Sequence, residues 1–204
     1  MPQQTAPPGR RDRKKQQTRQ ALMQAALRLV DERGLEHVTV EEIAEAADVS
    51  PRTFFNYFTS KDEALLGDEF GAQQAMRERF LAVPSAVPTL SALVIAMAPD
   101  LEAVEGERDL WLMRFRVMDA NPALLAALIK QSASAEQELV NVIAGRLGVP
   151  ASSAYPQLVA AVSGAALRTS VMRWAASGGA LRLPALVVEA FDLLAAGLTD
   201  PAPG

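Results

Sequence analysis

The sequence has no cysteine and only one histidine, His37, among its 204 residues. The absence of cysteine excludes a disulfide framework, a thiolate zinc site and a cysteine nucleophile, and it fits a reducing cytosol. With no second histidine and no acidic cluster at metal-ligand spacing, the chain offers no constellation for acid–base or metal chemistry. We therefore predict that the protein is not an enzyme and needs neither a metal ion nor a cofactor.

Long apolar runs are also missing from the sequence. No uninterrupted stretch reaches the ~18 residues that a membrane-spanning helix needs, and residues 1–10 are rich in proline and glutamine. Because 50% of the residues are hydrophobic, a chain of this length can still bury a substantial core. We expect a globular, cytoplasmic protein that makes no contact with a membrane.

The charges are unevenly distributed along the chain. The net charge of −4 argues at first against a nucleic-acid partner, but residues 1–20 carry +5, which leaves −9 for the remainder. We interpret this asymmetry as a basic arm that meets phosphates, and the alternative is a solvated, disordered tail. The basic residues of this segment are Arg10, Arg11, Arg13, Lys14, Lys15 and Arg19.

Apolar residues recur at spacings of three and four almost throughout, and strand signals are scarce. Proline and glycine fall mainly between these stretches, which predicts an all-α protein. The expected helices span about 13–32, 40–47, 52–58, 60–81, 89–97, 101–120, 122–147, 155–176 and 183–198.

Four capping or stop signals punctuate the region between residues 34 and 63. Gly34 suits the left-handed conformation that closes many helices. Thr39 precedes Glu42 by three residues and Ser60 precedes Glu63 by three, which is the capping-box spacing. Ser50 followed by proline predicts another helix start. Two short helices joined by a tight turn, after a longer first helix, predict a helix-turn-helix.

The second short helix carries residue types that read a DNA groove. Arg52 could bond bidentately to guanine and Asn56 to adenine, while Thr53 and Tyr57 could donate to phosphates. Lys61 lies in the first turn of the next helix, where the helix dipole favours anions, so that a phosphate partner would explain it. Taken singly, each of these residues would more often be solvated surface.

The segment VTVEEIAEAADVSPRTFFNYFTSKDEALL resembles the DNA-binding region of the TetR family of bacterial transcriptional regulators, and the likeness extends over residues 16–76. It implies that Thr39 contacts a phosphate and that residues 50–56 approach the bases. It also implies that Tyr57 and Lys61 anchor phosphates. Phe55 replaces a tyrosine of many relatives, so we expect that phosphate contact to be missing and the ring to pack instead. The predicted DNA-binding residues are Arg10, Arg11, Lys14, Lys15, Thr39, Ser50, Pro51, Arg52, Thr53, Asn56, Tyr57 and Lys61.

The segment RDLWLMRFRVMD is apolar around most of a helix, which is typical of a buried core helix or of a ligand wall. Arg114 falls within its apolar stripe and needs a partner. A structural ion pair with Glu102 or Glu138 is one reading, and a clamp for a ligand carboxylate or phosphate is the other. The predicted ligand-binding residues are Met97, Leu110, Trp111, Arg114, Phe115, Met118 and Val162.

The C-terminal half contains the segments PSAVPTLSAL, MRFRVMDANPAL and GRLGVP. With these segments it resembles the branch of the family whose sensing domain is described as acyl-CoA-like ligand-binding. This resemblance implies a long apolar effector, with Arg114 or Arg116 near its polar portion. The last two predicted helices resemble those that pair between subunits in the family, which implies a homodimer and an operator of inverted half-sites. Intramolecular packing of these helices is the alternative.

We therefore expect three regions: a basic, disordered arm (1–15), a helix-turn-helix domain (16–76) and a helical ligand-binding and dimerisation domain (77–204). The function that this organisation predicts is a ligand-released repressor with an apolar effector. The alternative is a small helical lipid carrier that does not bind regulatory DNA.

Overall fold

The structure of the protein is a computed structural model that describes residues 10–67 and 69–198. Within these ranges it contains ten α-helices, a 3-10 turn at Leu35–His37 and no β-strand, which confirms the predicted all-α class. The helices are α1 (Arg10–Arg33), α2 (Val40–Ala46), α3 (Pro51–Phe55), α4 (Lys61–Leu66), α5 (Glu69–Ala82), α6 (Thr89–Gly106), α7 (Arg108–Asp119), α8 (Pro122–Leu147), α9 (Ala154–Ala176) and α10 (Leu183–Ala195).

The chain divides into two compact units, of which the first comprises the described residues 10–67 and 113–124. In this unit α1 packs against α2 and α4, and α2 packs against α3. Buried apolar side chains of α1 supply one side of the core. Its fully or almost fully buried side chains include Leu22, Ala26, Val30, Ile43, Phe54, Phe58 and Leu65.

The second unit comprises the described residues 69–112 and 125–198. In it α10 packs against both α9 and α6, and α6 also packs against α5. The core of this unit is built from large apolar side chains, among them Phe80, Leu93, Ile143, Trp174, Leu183 and Phe191.

A single helix from Ser60 to about Leu81 was expected, and this prediction is wrong. Helix α4 ends at Leu66, and Gly67 adopts a φ of 91°, a conformation that side chains with a β carbon rarely take. A β carbon at Gly67 would lie 3.0 Å from a guanidinium nitrogen of Arg114. Glycine is therefore favoured here by the backbone angle, and a β carbon would press on the end of the Arg114 side chain.

The predicted break between Met97 and Leu101 is also wrong, because α6 runs through Pro99 and ends at Gly106. Proline has no N–H, so the Ile95 carbonyl, four residues before Pro99, loses its helical donor. Next to it in the sequence, Arg79 Nε donates to the Ala96 carbonyl at 2.7 Å, and the same guanidinium contacts the Asp100 carboxylate. A side chain from α5 thus contacts α6 on both sides of the proline.

The connection between α5 and α6 is held by Arg146 near the end of α8. Its guanidinium donates to the carbonyls of Phe80, Val83, Pro84 and Val87 over 2.6–3.2 Å. It also lies 5.0 Å from the centre of the Phe80 ring. Arg146 thus binds one carbonyl of the last turn of α5 and three carbonyls of the connection that follows it.

Candidate nucleic-acid interface

Helix α2 begins with the predicted capping box. The Thr39 hydroxyl accepts from Glu42 N at 3.2 Å, and the Glu42 carboxylate accepts from Thr39 N at 2.9 Å. Arg33 contacts the other carboxylate oxygen at 2.9 Å. The hydrogen bonds from the Thr39 backbone and hydroxyl, followed by the charge of Arg33, lower the pKa of Glu42 below its ordinary value. The box fixes the start of α2 by interactions within a few residues.

Ser50 is the N-cap of α3, as predicted, and accepts from Thr53 N at 3.2 Å. The two hydroxyl oxygens of Ser50 and Thr53 lie 2.9 Å apart, so that one of them donates to the other. One hydroxyl hydrogen of the pair is therefore used within the cap, and one remains available to another acceptor.

Helix α3 has a buried face and an exposed face. Phe54 and Phe58 are buried with their ring centres 5.6 Å apart, whereas Arg52, Phe55 and Asn56 are exposed. The prediction that the helix continues to Phe58 is wrong: it ends at Phe55, and Asn56 N and Tyr57 N bond to carbonyls three residues back. The exposed residues at positions 52, 55 and 56 form one surface, which we call the reading face.

The reading face is anchored by Arg19, whose structural role was not foreseen from the sequence. Its guanidinium lies 4.4 Å from the centre of the Phe58 ring, and Nη1 donates to the Tyr57 carbonyl at 3.1 Å. A cation over an aromatic ring is attracted by the electron-rich face of the ring. Since the contact joins residues 38 positions apart, no local pattern announces it.

Lys61 was expected to need a phosphate because of its unfavourable place at the start of α4. In the structure its ammonium donates to the carbonyls of Leu35 and Val38 at 2.6 and 3.0 Å. These two carbonyls explain the position of the lysine without a phosphate, so the helix dipole no longer indicates a phosphate there. The ammonium group has a third proton, and a phosphate contact at Lys61 stays a prediction.

The basic segment was expected to be a disordered arm over residues 1–15, but its described part, residues 10–15, is helical. Helix α1 already begins at Arg10, because the residues after Gly9 are charged and polar types that favour a helix. Lys14 and Lys15 are exposed on this helix. The side chains of Arg10 and Arg11 lie outside the described residues.

The candidate ligand-binding residues fall in both units. Met97, Leu110, Trp111 and Val162 belong to the second unit and are half-buried. Arg114, Phe115 and Met118 belong to the first unit, and Met118 is only 5% exposed.

Two arginines of α7 were candidates for the polar end of an effector. Arg116 pairs with Asp31 of α1 at 2.8 Å. Arg114 is half-buried beside Gly67, and Glu102, one of its two expected partners, contacts Arg182 at 3.0 Å.

Membrane-spanning helices and metal-ligand clusters are considered for the described residues only. None of their helices combines the length and the apolarity that crossing a bilayer requires. No group of three or more histidines and acids among them is placed to hold a metal ion.

Comparison with known proteins assigns both halves of the chain. Residues 22–66 match the family described as "Bacterial regulatory proteins, tetR family", and residues 87–199 match the "MftR C-terminal domain". The HTH-type transcriptional regulator TcmR of Streptomyces glaucescens is 35% identical over 176 residues, which cover 82% of this chain and 77% of TcmR. The relatives are named as transcriptional regulators, not as enzymes.

Solved structures with the same fold include the TetR-family repressor FadR of Thermus thermophilus in complex with lauroyl-CoA. It is 28% identical, has a TM-score of 0.54, and the match covers 91% of this chain and 99% of FadR. A TetR-family regulator from Streptomyces coelicolor is 25% identical with a TM-score of 0.55, covering 89% of this chain and 80% of that one. The chain therefore belongs to the TetR family of transcriptional regulators, with a helix-turn-helix of the tetR type and a C-terminal domain of the MftR type.

Proposed function

We propose that the protein is a ligand-released repressor that binds an inverted-repeat operator as a homodimer. The observation that carries the DNA part of the proposal is the reading face, where Arg52 and Asn56 are exposed side by side on a helix whose other face is buried. Arginine pairs bidentately with guanine and asparagine with adenine in the major groove. Pro51 and the Ser50–Thr53 pair lie at the start of the same helix, within reach of the bases or the adjoining backbone.

Phosphate contacts would position this helix rather than select a sequence. We assign them to the exposed Lys14 and Lys15, to the hydroxyl of Tyr57, and to Arg10 and Arg11. Thr39 and Lys61 complete the set. The Thr39 hydroxyl also donates to the Glu42 carboxylate, and the Lys61 ammonium also donates to the Leu35 carbonyl. These contacts release counterions, so the affinity for DNA should fall steeply as salt rises.

The dimer would form through an exposed apolar surface on α9 and α10, which we call the pairing face. On α9, Leu158 and Met172 are 63% and 61% exposed and are separated by 14 positions, close to four helical turns. Trp174, on the opposite side of the helix, is fully buried. The large apolar side chains of the pairing face are Tyr155, Leu158, Met172, Val188 and Leu193.

A second copy is the occupant that symmetry favours for the pairing face. Two subunits related by a two-fold axis present the same recognition helix twice, which requires inverted half-sites. The division of the chain that we propose places DNA reading in residues 16–76 and pairing in residues 77–204.

The effector that we propose is an apolar or amphipathic molecule, and the FadR structure with lauroyl-CoA supports a fatty acyl-CoA. Within the second unit, the candidates that would line its site are Met97, Leu110, Trp111 and Val162. For Arg114, Phe115 and Met118 a ligand contact stays a prediction from the sequence. Binding would favour a conformation whose two recognition helices no longer match successive grooves, through a coupling of about 1–3 kcal/mol.

The test is selection and sequencing of genomic fragments bound by the purified full chain, with and without lauroyl-CoA. One enriched inverted repeat that is lost on adding the acyl-CoA supports the regulator and the effector class together. Enrichment that is unaffected by the acyl-CoA contradicts the effector class alone. Failure to enrich any sequence contradicts the regulator and favours the lipid carrier.

A further inference from the structure

The reading face contains a phenyl ring beside its two polar side chains. Phe55 follows Arg52 by three positions and directly precedes Asn56, and it is 57% exposed. Its neighbour Phe54 is fully buried, and the two rings meet edge-on at 84° with their centres 5.5 Å apart. The Phe55 ring was expected to pack into the protein. This expectation is wrong, because most of its surface is exposed.

The chemistry of this ring limits what it can contact on DNA. Phenylalanine has no hydrogen-bond donor, so it cannot replace the phosphate contact of a tyrosine hydroxyl. Among the groups that base pairs present in the major groove, the C5-methyl of thymine is the apolar one. Arg52 and Asn56 on the same face are suited to guanine and adenine, so that the ring projects from the part of α3 that would meet base edges.

We propose that Phe55 is a specificity-determining residue that contacts the C5-methyl group of a thymine in each operator half-site. The inference rests on the proposed function, because it needs the reading face to enter the major groove. It adds an apolar contact to the hydrogen bonds of Arg52 and Asn56. The thymine should lie next to the base pairs that these two residues contact.

The test replaces single thymines of the operator by deoxyuridine, which lacks only the C5-methyl group. We expect one position in each half-site at which this change raises the Kd of the full chain about fourfold, and about 15-fold when both half-sites are changed, the effect of removing one buried methyl from each. In Phe55→Ala the two operators should bind with the same Kd, which marks the methyl group as the partner of the ring.

A matched control separates this contact from a general loss of affinity. Lys15→Ala should weaken binding to every fragment and yet keep the sensitivity to deoxyuridine at the same thymine. Phe55→Tyr keeps the ring and should keep most of that sensitivity. Since Phe55 is largely exposed, thermal unfolding of Phe55→Ala should match that of the unaltered protein.

Two results overturn the contact while leaving the regulator intact: no thymine whose replacement matters, or equal sensitivity to deoxyuridine in Phe55→Ala and the unaltered protein. If no inverted repeat is enriched from genomic DNA, the proposed function fails, and the thymine contact fails with it.

Discussion

At the scale of single residues, Asp48 shows how the helix-turn-helix is bent. It adopts a φ of 54° in the turn between α2 and α3, and Val49 N bonds to the Ala44 carbonyl at 2.9 Å. Aspartate tolerates this left-handed conformation better than most residues, and β-branched residues tolerate it poorly. The conformation of the turn thus depends on which residue occupies position 48.

The first prediction concerns this position. Asp48→Val should lower the free energy of unfolding by about 1–2 kcal/mol, because the β-branched side chain clashes with its own backbone at positive φ. Asp48→Gly is the matched control and should lose little. Chemical denaturation of the three proteins measures the difference, and equal losses in both variants would contradict the explanation.

The second prediction concerns Arg52 of the reading face. Arg52→Ala should weaken binding to the selected operator by about 1–3 kcal/mol and relax the preference at one base pair, because a bidentate contact is lost. Lys15→Ala should weaken all sequences alike and reduce the dependence of affinity on salt. Titrations on the operator and on an unrelated fragment distinguish the two patterns, and unchanged operator affinity in Arg52→Ala would refute its role.

At the scale of elements, local pattern misplaced two helix boundaries. Pro99 predicts a break, but α6 continues through it, and Arg79 bonds to the neighbouring Ala96 carbonyl. The apolar periodicity around Gly67 predicts continuity, but the backbone turns there beside Arg114. In both cases a side chain distant in sequence lies beside the boundary.

The third prediction concerns the capping box of α2 and its dependence on pH. The pKa of Glu42 is lowered in the folded protein, so its contribution to stability is fully present above its ordinary value of 4.5 and is lost as the pH falls through the folded value. Glu42→Gln keeps a side chain that can bond to Thr39 N but cannot titrate. We expect the difference in the free energy of unfolding between the two proteins to become smaller on acidification. Denaturation from about pH 7 to about pH 3 measures it. A difference that stays constant across this range would contradict the assignment.

At the scale of the whole molecule, we propose that the pairing face determines the oligomeric state and, through it, operator affinity. Isolated exposed apolar residues are ordinary, but a contiguous apolar surface indicates an interface. The face combines side chains from α9 and α10, which are also joined by Arg173 and Glu189 at 3.2 Å.

The fourth prediction places a charge in this face. Leu158→Glu should convert the dimer into a monomer, because two buried carboxylates would face an apolar partner across the symmetry axis. Ile95→Glu is the matched control, since Ile95 is 54% exposed on α6 and lies outside the pairing face. Sedimentation analysis measures the mass, and operator titration should show a loss of affinity only in Leu158→Glu. A dimer that survives Leu158→Glu would exclude this face.

The all-helical class, the family resemblance and the punctuation of the helix-turn-helix could be predicted from the sequence alone. Capping works between neighbouring residues, so that Thr39 with Glu42 is visible as a spacing and Ser50 as a cap before a proline. Glycine and proline restrict their own backbone in the same local way, although α6 continues through Pro99.

The long-range hydrogen bonds and the exposure of the candidate side chains became known only from the tertiary structure. Lys61 bonds to carbonyls 23 and 26 positions away, and Arg19 bonds to one 38 positions away. Phe54 and Phe55 are adjacent and identical in type, yet one is fully buried and the other is 57% exposed. Spacing records the interactions that close within one or two turns, whereas burial and long-range hydrogen bonds arise when distant elements pack, and they have no local signature.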